Sequence, residues 1–288
     1  MILLHLKDYP RKAYSINQFT QPPCYELDGE DFIFVMDSGY DYELHITGRE
    51  SCEWRMVDEA LKRETYRCLK SDDTTYLLHY EIKDAGLRTA HTWVIDLAQR
   101  LVTLLTCKVG LNPKHPFLIS SHFDFGAIRS EAVELPFKRH AFTSDMVGTC
   151  VEWHWKPAFL TRHSYYSTSF YRITHPKEMD TTSEFGSSNA HLMPSSDEWA
   201  RYVKIKEQMY LFVLTESNSE RIVGDRGRFR SNNMAFLQNY DRMYHVGRSF
   251  GTAMEDGKPF PVNMLFGAFG NPVELDPAFL DAPNPFVI

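Results

Sequence analysis

Hydrophobic and polar residues alternate along most of the chain in short segments that polar turns separate. The stretch "DFIFVMDSGYDYELHIT" holds two such runs around Asp37-Ser38-Gly39, a tripeptide typical of a hairpin turn. Similar runs follow as "TYRCLK", "TYLLHYEI", "TAHTWVIDL" and "RLVTLLTCKV". Short, evenly spaced runs with period two predict antiparallel strands in an all-β barrel or sandwich, with little helix.

The pattern repeats in the second half of the chain. Residues 66–81 align with residues 200–216, which places Arg67 over Arg201. The segment "WVIDLAQRLVTLLTCKVG" aligns with "AFLQNYDRMYHVGRSFG" in the same order. Two matches in the same order predict two tandem barrels of similar topology.

The domain organisation follows from a lapse in this alternation. Residues 111–142 contain X-Pro steps and no steady period, so we expect a linker that also covers a barrel mouth. The first barrel is then predicted to occupy residues 1–110, and the second, with a Pro-rich tail, residues 143–288. A Ser/Thr-rich insert at 181–197 is expected to be a mobile loop, and "SSDEWARY" to begin with a helical turn.

The composition is that of a globular protein and narrows the function. Hydrophobic residues make up 43% and charged residues 24% of the 288 residues, and the formal net charge is −7. This negative balance argues against a general nucleic-acid binder. No run approaches the roughly 18 apolar residues of a membrane span. His5, Lys7 and Asp8 come too early for a secretory signal.

The cysteines indicate a reducing compartment. They are scattered, odd in number and without a CxxC pair, as expected of reduced core residues: Cys24, Cys52, Cys68, Cys107 and Cys150. A catalytic cysteine stays an alternative. We therefore expect a cytoplasmic protein that crosses no membrane.

The second half carries the motifs of a known family. A strand led by Gly148 precedes a Tyr/His-rich hairpin, "RHSYYSTSFYRI"; the strands "RYVKI" and "LFVLTE" follow, and a last strand ends in "GRSFG". In these motifs it resembles the C-terminal domain of the molybdenum-cofactor-biosynthesis protein F (MoaF) family. From Leu27 to Gly110 the first half resembles that family's N-terminal domain, through "DFIFVMDSGYDYELHI", "CEWR" and "WVIDL".

The resemblance implies an architecture and a type of site. Families of this kind are assigned to the calycin (lipocalin-like) barrels, so it implies two tandem antiparallel calycin-like β-barrels. Phenolic acid decarboxylases share that architecture and are similar in using Tyr, Arg and Glu inside the barrel. The family name also implies a role in molybdenum-cofactor metabolism, although a shared fold does not by itself carry function.

Two charged residues of the hairpin between 200 and 216 lie in register with apolar residues. Period two places Arg201 on one face with Val203 and Ile205, and Glu216 on the apolar face of the next strand. If both faces line a barrel, Arg201 must be paired or must serve a ligand. One reading is a structural ion pair. The other is that Arg201 holds a carboxylate, enolate or phenolate while Glu216 acts as acid, base or orienting group.

The hairpin "RHSYYSTSFYRI" adds groups that move protons or bind an oxyanion. His163 and Tyr165 share one face of its first strand, and Tyr171 lies on its return strand. For a lone histidine, a hydrogen-bonded core position is the alternative. Together with Arg201 and Glu216, these residues are the predicted catalytic set.

Aromatic and apolar side chains are predicted to form the walls of the substrate site. Trp153 and Trp155 share a face of "VEWHW", and Phe212 and Leu214 precede Glu216 with the same period. Ordinary core packing is the alternative for each. In the first barrel Trp54, Arg67, His79 and Glu81 are grouped in sequence, and we interpret that group as structural.

The remaining motifs point away from cofactors and leave three functions open. The 12 histidines form no HExxH or other metal-ligand spacing, and the glycine pairs lack the context of a phosphate loop, so we expect neither metal nor cofactor. The first function is a cofactor-independent lyase, isomerase or cyclase, pericyclic ring closure included, acting on a hydrophobic, aromatic or polyene small molecule. The second is a non-catalytic carrier, and the third an accessory protein in molybdenum-cofactor metabolism. The sequence leaves open a homodimer and which barrel holds the site.

Overall fold

The computed structural model describes residues 18–156, 159–174, 196–216, 229–255 and 258–277. Antiparallel strands account for most of them, and this part of the chain contains no α-helix. The first eight strands are β1 (Asp31–Met36), β2 (Tyr42–Gly48), β3 (Ser51–Met56), β4 (Lys62–Lys70), β5 (Thr75–Ile82), β6 (Thr89–Asp96), β7 (Leu101–Val109) and β8 (Ile119–Ile128). The others are β9 (Ala141–Phe142), β10 (Thr149–Lys156), β11 (Phe159–Tyr165), β12 (Phe170–Thr174), β13 (Ser196–Lys206), β14 (Met209–Glu216), β15 (Phe229–Asn239), β16 (Tyr244–Glu255) and β17 (Lys258–Val273).

The first barrel is a closed ring in which β1 to β8 follow one another in chain order. It closes where β8 pairs with β1, with Phe34 opposite Ile128. The predicted turn between β1 and β2 is confirmed, and Gly39 adopts there the positive φ of 85° that a side chain would disfavour. The predicted boundary at residue 110 is wrong, because β8 lies in the segment expected to be a linker and completes the ring.

The second barrel repeats this plan with β10 to β17. These strands also follow one another in order, and the ring closes where Tyr171 on β12 pairs with Glu198 on β13 and where β10 pairs with β17. The short strand β9 is added outside the ring, with Phe142 opposite Val203. The prediction of two tandem antiparallel barrels is therefore confirmed.

One prediction near residue 196 is wrong, and two others fall largely outside the described residues. The helical turn expected at "SSDEWARY" is wrong from Ser196 onward, because β13 begins at that residue. The insert predicted as a mobile loop lies largely outside the described residues, and so does the Pro-rich tail beyond residue 277.

The two barrels pack against each other through their outer faces. One continuous cluster of buried side chains, here the inter-barrel core, joins them; its main members are Leu69, Leu77, Ala90, Val94, Leu105, Val203, Ile205, Leu211, Val213, Leu237, Val246 and Phe250. Every position of β5 and of β6 is buried, since one face of each lines the first barrel and the other meets the second. Such strands lose the alternation that would identify their inner face.

A buried arginine forms hydrogen bonds with both barrels. Arg248 is fully buried, and its guanidinium donates hydrogen bonds to Thr92 Oγ1 at 2.8 Å, the Asn233 carbonyl at 2.6 Å and Cys107 Sγ at 3.3 Å. None of the three acceptors is a carboxylate, and burial lowers the pKa of Arg248. This residue ties β6 and β7 of the first barrel to β15 and β16 of the second.

All five cysteines are free thiols, and four of them are buried. No helix in the described ranges has the length and apolar character needed to cross a bilayer.

Candidate functional site

The interior of the second barrel is lined by aromatic side chains. The buried cluster that fills it consists mainly of Val151, Trp153, Trp155, Tyr165, Tyr171, Ala200, Tyr202, Phe212, Leu214, Met234, Phe236, Phe266 and Ala268. The four residues predicted to form walls, Trp153, Trp155, Phe212 and Leu214, all belong to this cluster. One end of the barrel has short turns at 207–208 and 240–243, and the other end carries the last residues of β12 and β14.

Arg201 is not part of this interior, and the predicted orientation is wrong. Its side chain is exposed on the outer face of β13, where Nη1 donates a hydrogen bond to the Ala200 carbonyl at 3.1 Å. Val203 and Ile205 share that face and pack into the inter-barrel core. The apolar residues used to define an inner face are therefore buried by the other barrel, and Arg201 lies beyond the edge of that contact.

Glu216 lies inside the barrel at the end opposite the short turns. It is half-buried, and its Oε2 accepts a hydrogen bond from Asn232 Nδ2 at 3.1 Å. No lysine or arginine forms an ion pair with it among the described residues. Burial raises the pKa of Glu216 to about 7, and the Asn232 amide opposes part of that rise. Its carboxyl group can therefore hold or release a proton near neutral pH.

A second carboxylate and a phenol lie beside Glu216. Trp199 pairs with Thr215, so Glu198 and Glu216 are the next residues along the two strands. Glu198 is 2% exposed and pairs across the barrel closure with Tyr171. Burial, followed by the charges of Glu216 and Glu198, raises the pKa of Tyr171 well above its usual range. This phenol stays protonated and is a hydrogen-bond donor at neutral pH.

His163 and Tyr165 lie deeper in the same interior. His163 Nε2 is 3.0 Å from Thr161 Oγ1, and its ring centroid is 5.1 Å from that of Tyr171. The Tyr165 hydroxyl accepts hydrogen bonds from Trp153 Nε1 at 3.2 Å and Gln238 Nε2 at 2.9 Å. The Tyr165 oxygen and His163 Nε2 are thus both engaged by polar groups of the protein.

His245 lies among aromatic side chains near the end of the barrel that has the short turns. Its ring centroid is 4.5 Å from that of Trp153 and 5.1 Å from those of Trp155 and Phe236. It is fully buried, and none of the described residues offers a hydrogen bond to either ring nitrogen. Burial, followed by the charge of His163, lowers the pKa of His245 well below its usual range. His245 is therefore a neutral imidazole whose two nitrogens have no hydrogen-bond partner among the described residues.

The sequence interpretation missed Glu198, Asn232 and His245. Glu198 is in the segment taken for a helical turn, so its alternation with Ala200 was not followed. His245 alternates with Gly247 and Ser249, while Val246 on the opposite face is apolar and packs against the other barrel. The signal that could have found it is the period-two alternation of this strand, which places His245 on the face opposite Val246 and Phe250.

The interior of the first barrel is aromatic too, but its polar groups are arranged differently. Tyr80 OH accepts a hydrogen bond from Trp93 Nε1 at 3.2 Å and lies 3.1 Å from His91 Nδ1. Burial lowers the pKa of His91 to about 3. His79 and Glu81 lie on the outer face, where His79 Nε2 is 3.0 Å from Asn263 Oδ1 of the second barrel. That position agrees with the structural interpretation of the pair.

The described residues contain no group of three side chains that could hold a metal ion. A closed barrel with an aromatic interior and a few inward polar groups is the architecture of a small-molecule-binding β-barrel protein. Residues 11–110 match the family model described as the MoaF N-terminal domain. No curated protein matches the chain. The resemblance stated for the first half is thereby confirmed, and that of the second half stays a prediction.

Proposed function

We propose that the second barrel is the active site of a cofactor-independent lyase, isomerase or cyclase acting on a hydrophobic, aromatic or polyene small molecule. The observation that carries this proposal is the Glu216 carboxyl group, which has a pKa of about 7 and no cationic partner among the described residues. A carboxyl group of this kind is costly to bury, and acid–base catalysis needs a pKa close to the working pH.

The neighbouring side chains suggest how the reaction is supported. Glu216 exchanges a proton with the substrate, while the Tyr171 phenol donates a hydrogen bond to the oxygen on which charge develops. His163 lies next to Tyr171 and can orient the same oxygen. The aromatic walls at Trp155 and Phe212 hold the substrate in a reactive conformation, which for ring closure supplies much of the rate enhancement.

A screen without added cofactors tests the proposal. Purified protein is incubated with phenolic acids, enones and polyenes, and products are measured by mass spectrometry. We expect turnover that chelator dialysis leaves unchanged and that Glu216→Gln lowers by about 10² or more. The matched control is Glu207→Gln, because Glu207 is 76% exposed in a turn of the same barrel. Turnover that survives Glu216→Gln would contradict the assignment.

A carrier without catalysis is the second candidate. It is favoured by the hydrogen bonds that already engage the Tyr165 hydroxyl and Thr161 inside the barrel, since a carrier needs shape more than free reactive groups. Saturable binding of the screened compounds without any product, in the wild type and in Glu216→Gln alike, would support it. The match to the MoaF N-terminal domain supports the third candidate, an accessory role in molybdenum-cofactor metabolism.

The cellular location is part of the same proposal. The free thiols support a reducing compartment, so we propose that the protein acts in the cytoplasm. Fractionation of cells that express a tagged chain tests this location.

A further inference from the structure

Two cavities outside the barrels share one charged side chain. The first, of about 350 Å³, is a groove where the barrels meet; its lining includes Leu118, Ile119, Phe123, Trp199, Arg201 and Val213. The second, of about 320 Å³, lies on the other side of Arg201 and is lined by Phe142, Thr143, Ser144, Thr168, Ser169 and Tyr202 as well. Both volumes fall within the range of about 300–1,000 Å³ that is usual for small-molecule sites, which often lie where domains meet.

Arg201 lies between the cavities without an acidic partner among the described residues. Its one hydrogen bond goes to the Ala200 carbonyl, and its guanidinium carbon is 6.0 Å from the centroid of the Trp199 ring. Neither cavity is lined by an aspartate or a glutamate. By contrast, the nearby Lys204 is paired with Asp145 at 2.8 Å and with Glu207 at 3.0 Å. Arg201 is therefore a positive charge whose five donors are mostly available.

The two cavities differ in chemistry. Apolar and aromatic side chains dominate the groove, and two of them remain exposed: Trp199 by 51% and Leu118 by 43%. Hydroxyl groups dominate the other cavity. There Thr143 already donates its hydroxyl hydrogen to Asp145 at 2.6 Å, but the lining also includes Ser144 and Thr168.

We propose that this junction binds an aryl-alkyl carboxylate. The carboxylate would pair with the Arg201 guanidinium on the hydroxyl-lined side, and the apolar part would lie along Trp199 and Phe123 in the groove. A planar guanidinium matches a carboxylate through two parallel hydrogen bonds. A phosphate, with up to two charges, is a poorer match for a single arginine in a chain of net charge −7. This site is separate from the barrel interior and does not rest on the proposed function.

Titration calorimetry with 4-phenylbutyrate, and with 4-phenylbutan-1-ol as its neutral analogue, tests the proposal. We expect saturable binding of the acid, and Arg201→Met should weaken it about tenfold or more, a loss of about 1.4 kcal/mol. Arg201→Lys should recover only part of that affinity, because an ammonium group cannot form the planar fork. The alcohol should bind wild type and Arg201→Met alike. Arg63→Met is the control, since Arg63 is 67% exposed on the first barrel and paired with Glu53.

The exposed indole reports the location of the bound acid. Trp199 is the only exposed tryptophan of the five, so the acid should change the emission of the wild type but not that of Trp199→Phe. The proposal would be overturned if Arg201→Met bound the acid as tightly as the wild type or if the alcohol bound as tightly as the acid. Absence of saturable binding would also overturn it, and so would an emission change in Trp199→Phe as large as that in the wild type.

Discussion

The two barrels share a topology, and one aligned pair of interior positions differs in charge. Aligning Arg67 with Arg201 places Glu64 of β4 over Glu198 of β13, and both carboxylates are buried. On the following strand, the residue that faces this carboxylate is Ile82 in the first barrel and Glu216 in the second. The second barrel thus has two interior carboxylates where the first has one and an apolar residue.

The surroundings of the carboxylates differ as well. Glu64 Oε1 accepts a hydrogen bond from the Lys83 backbone N–H at 3.1 Å, and the Lys83 ammonium is 3.9 Å from Oε2. Glu216 has only the Asn232 amide among described partners. Burial also raises the pKa of Glu64, but the Lys83 backbone N–H and ammonium group oppose that rise. For Glu216 the opposing contribution comes from the Asn232 amide, and the pKa reaches about 7, so we infer that Glu216 is the carboxyl group better suited to proton transfer. Identical topology therefore does not imply identical function.

The largest expected effect is on turnover. Glu64→Gln and Glu216→Gln make the same chemical change in the two barrels, and only the second should lower kcat/KM, by about 10² or more. The measurement is the rate with whichever substrate the screen identifies. An equal loss of kcat/KM in both variants would mean that both barrels contribute to turnover and would contradict the difference between them.

A second prediction concerns stability and pH. The pKa of Glu216 rises from 4.5 to about 7 on folding, so the folded state holds this proton more tightly than the unfolded state. The free energy of unfolding should therefore fall as pH rises from about 4.5 to 7, by about 2–3 kcal/mol for this half-buried group. Glu216→Gln should remove that loss and be the more stable protein at pH 8. Urea unfolding of the wild type and Glu216→Gln at several pH values measures this pH dependence, with Glu207→Gln as the control.

The third prediction compares two buried tyrosines. In each barrel a tyrosine hydroxyl accepts an indole N–H, from Trp93 to Tyr80 and from Trp153 to Tyr165. Replacing either tyrosine by Phe leaves a buried donor without an acceptor, so Tyr80→Phe and Tyr165→Phe should each cost about 1–3 kcal/mol of stability. Denaturant unfolding measures both changes. If Tyr165→Phe left stability unchanged, Gln238 or water would be accepting the hydrogen bond of the Trp153 indole instead.

The smallest expected effect is that of His245→Phe. Both imidazole nitrogens lack partners among the described residues, so an apolar ring of similar shape should change stability by less than about 1 kcal/mol, or increase it. If a ligand uses His245, the variant should fold normally and bind the screened compounds more weakly. A large loss of stability would indicate that an internal hydrogen bond holds the imidazole.

The barrel architecture was predictable because its signals are local. The turn at Gly39, the period-two runs and the repeat from 66–81 to 200–216 each need only a few neighbouring residues. β8 was missed for the same reason. In "ISSHFDFGAI", Phe123 and Phe125 do alternate with His122 and Asp124, but the X-Pro steps just before this segment, at Pro113 and Pro116, indicate a linker locally.

The site was only partly predictable, because the two barrels bury one another. His163, Tyr171 and Glu216 lie inside the second barrel, where the pattern placed them. Arg201 does not, since Val203 on its face contacts the first barrel, and no single-strand pattern distinguishes an interior from an inter-barrel face. Tertiary packing decides that question.

The titration of Glu216 is the most direct test of the difference between the barrels. Protein labelled with ¹³C at the glutamate carboxyl carbons can be followed by NMR across the pH range, and Glu216→Gln assigns the signal. The account predicts that the signal lost in this variant titrates with a midpoint of about 7. A midpoint near the ordinary glutamate value of about 4.3 would show an unperturbed, solvated carboxylate and would contradict the account.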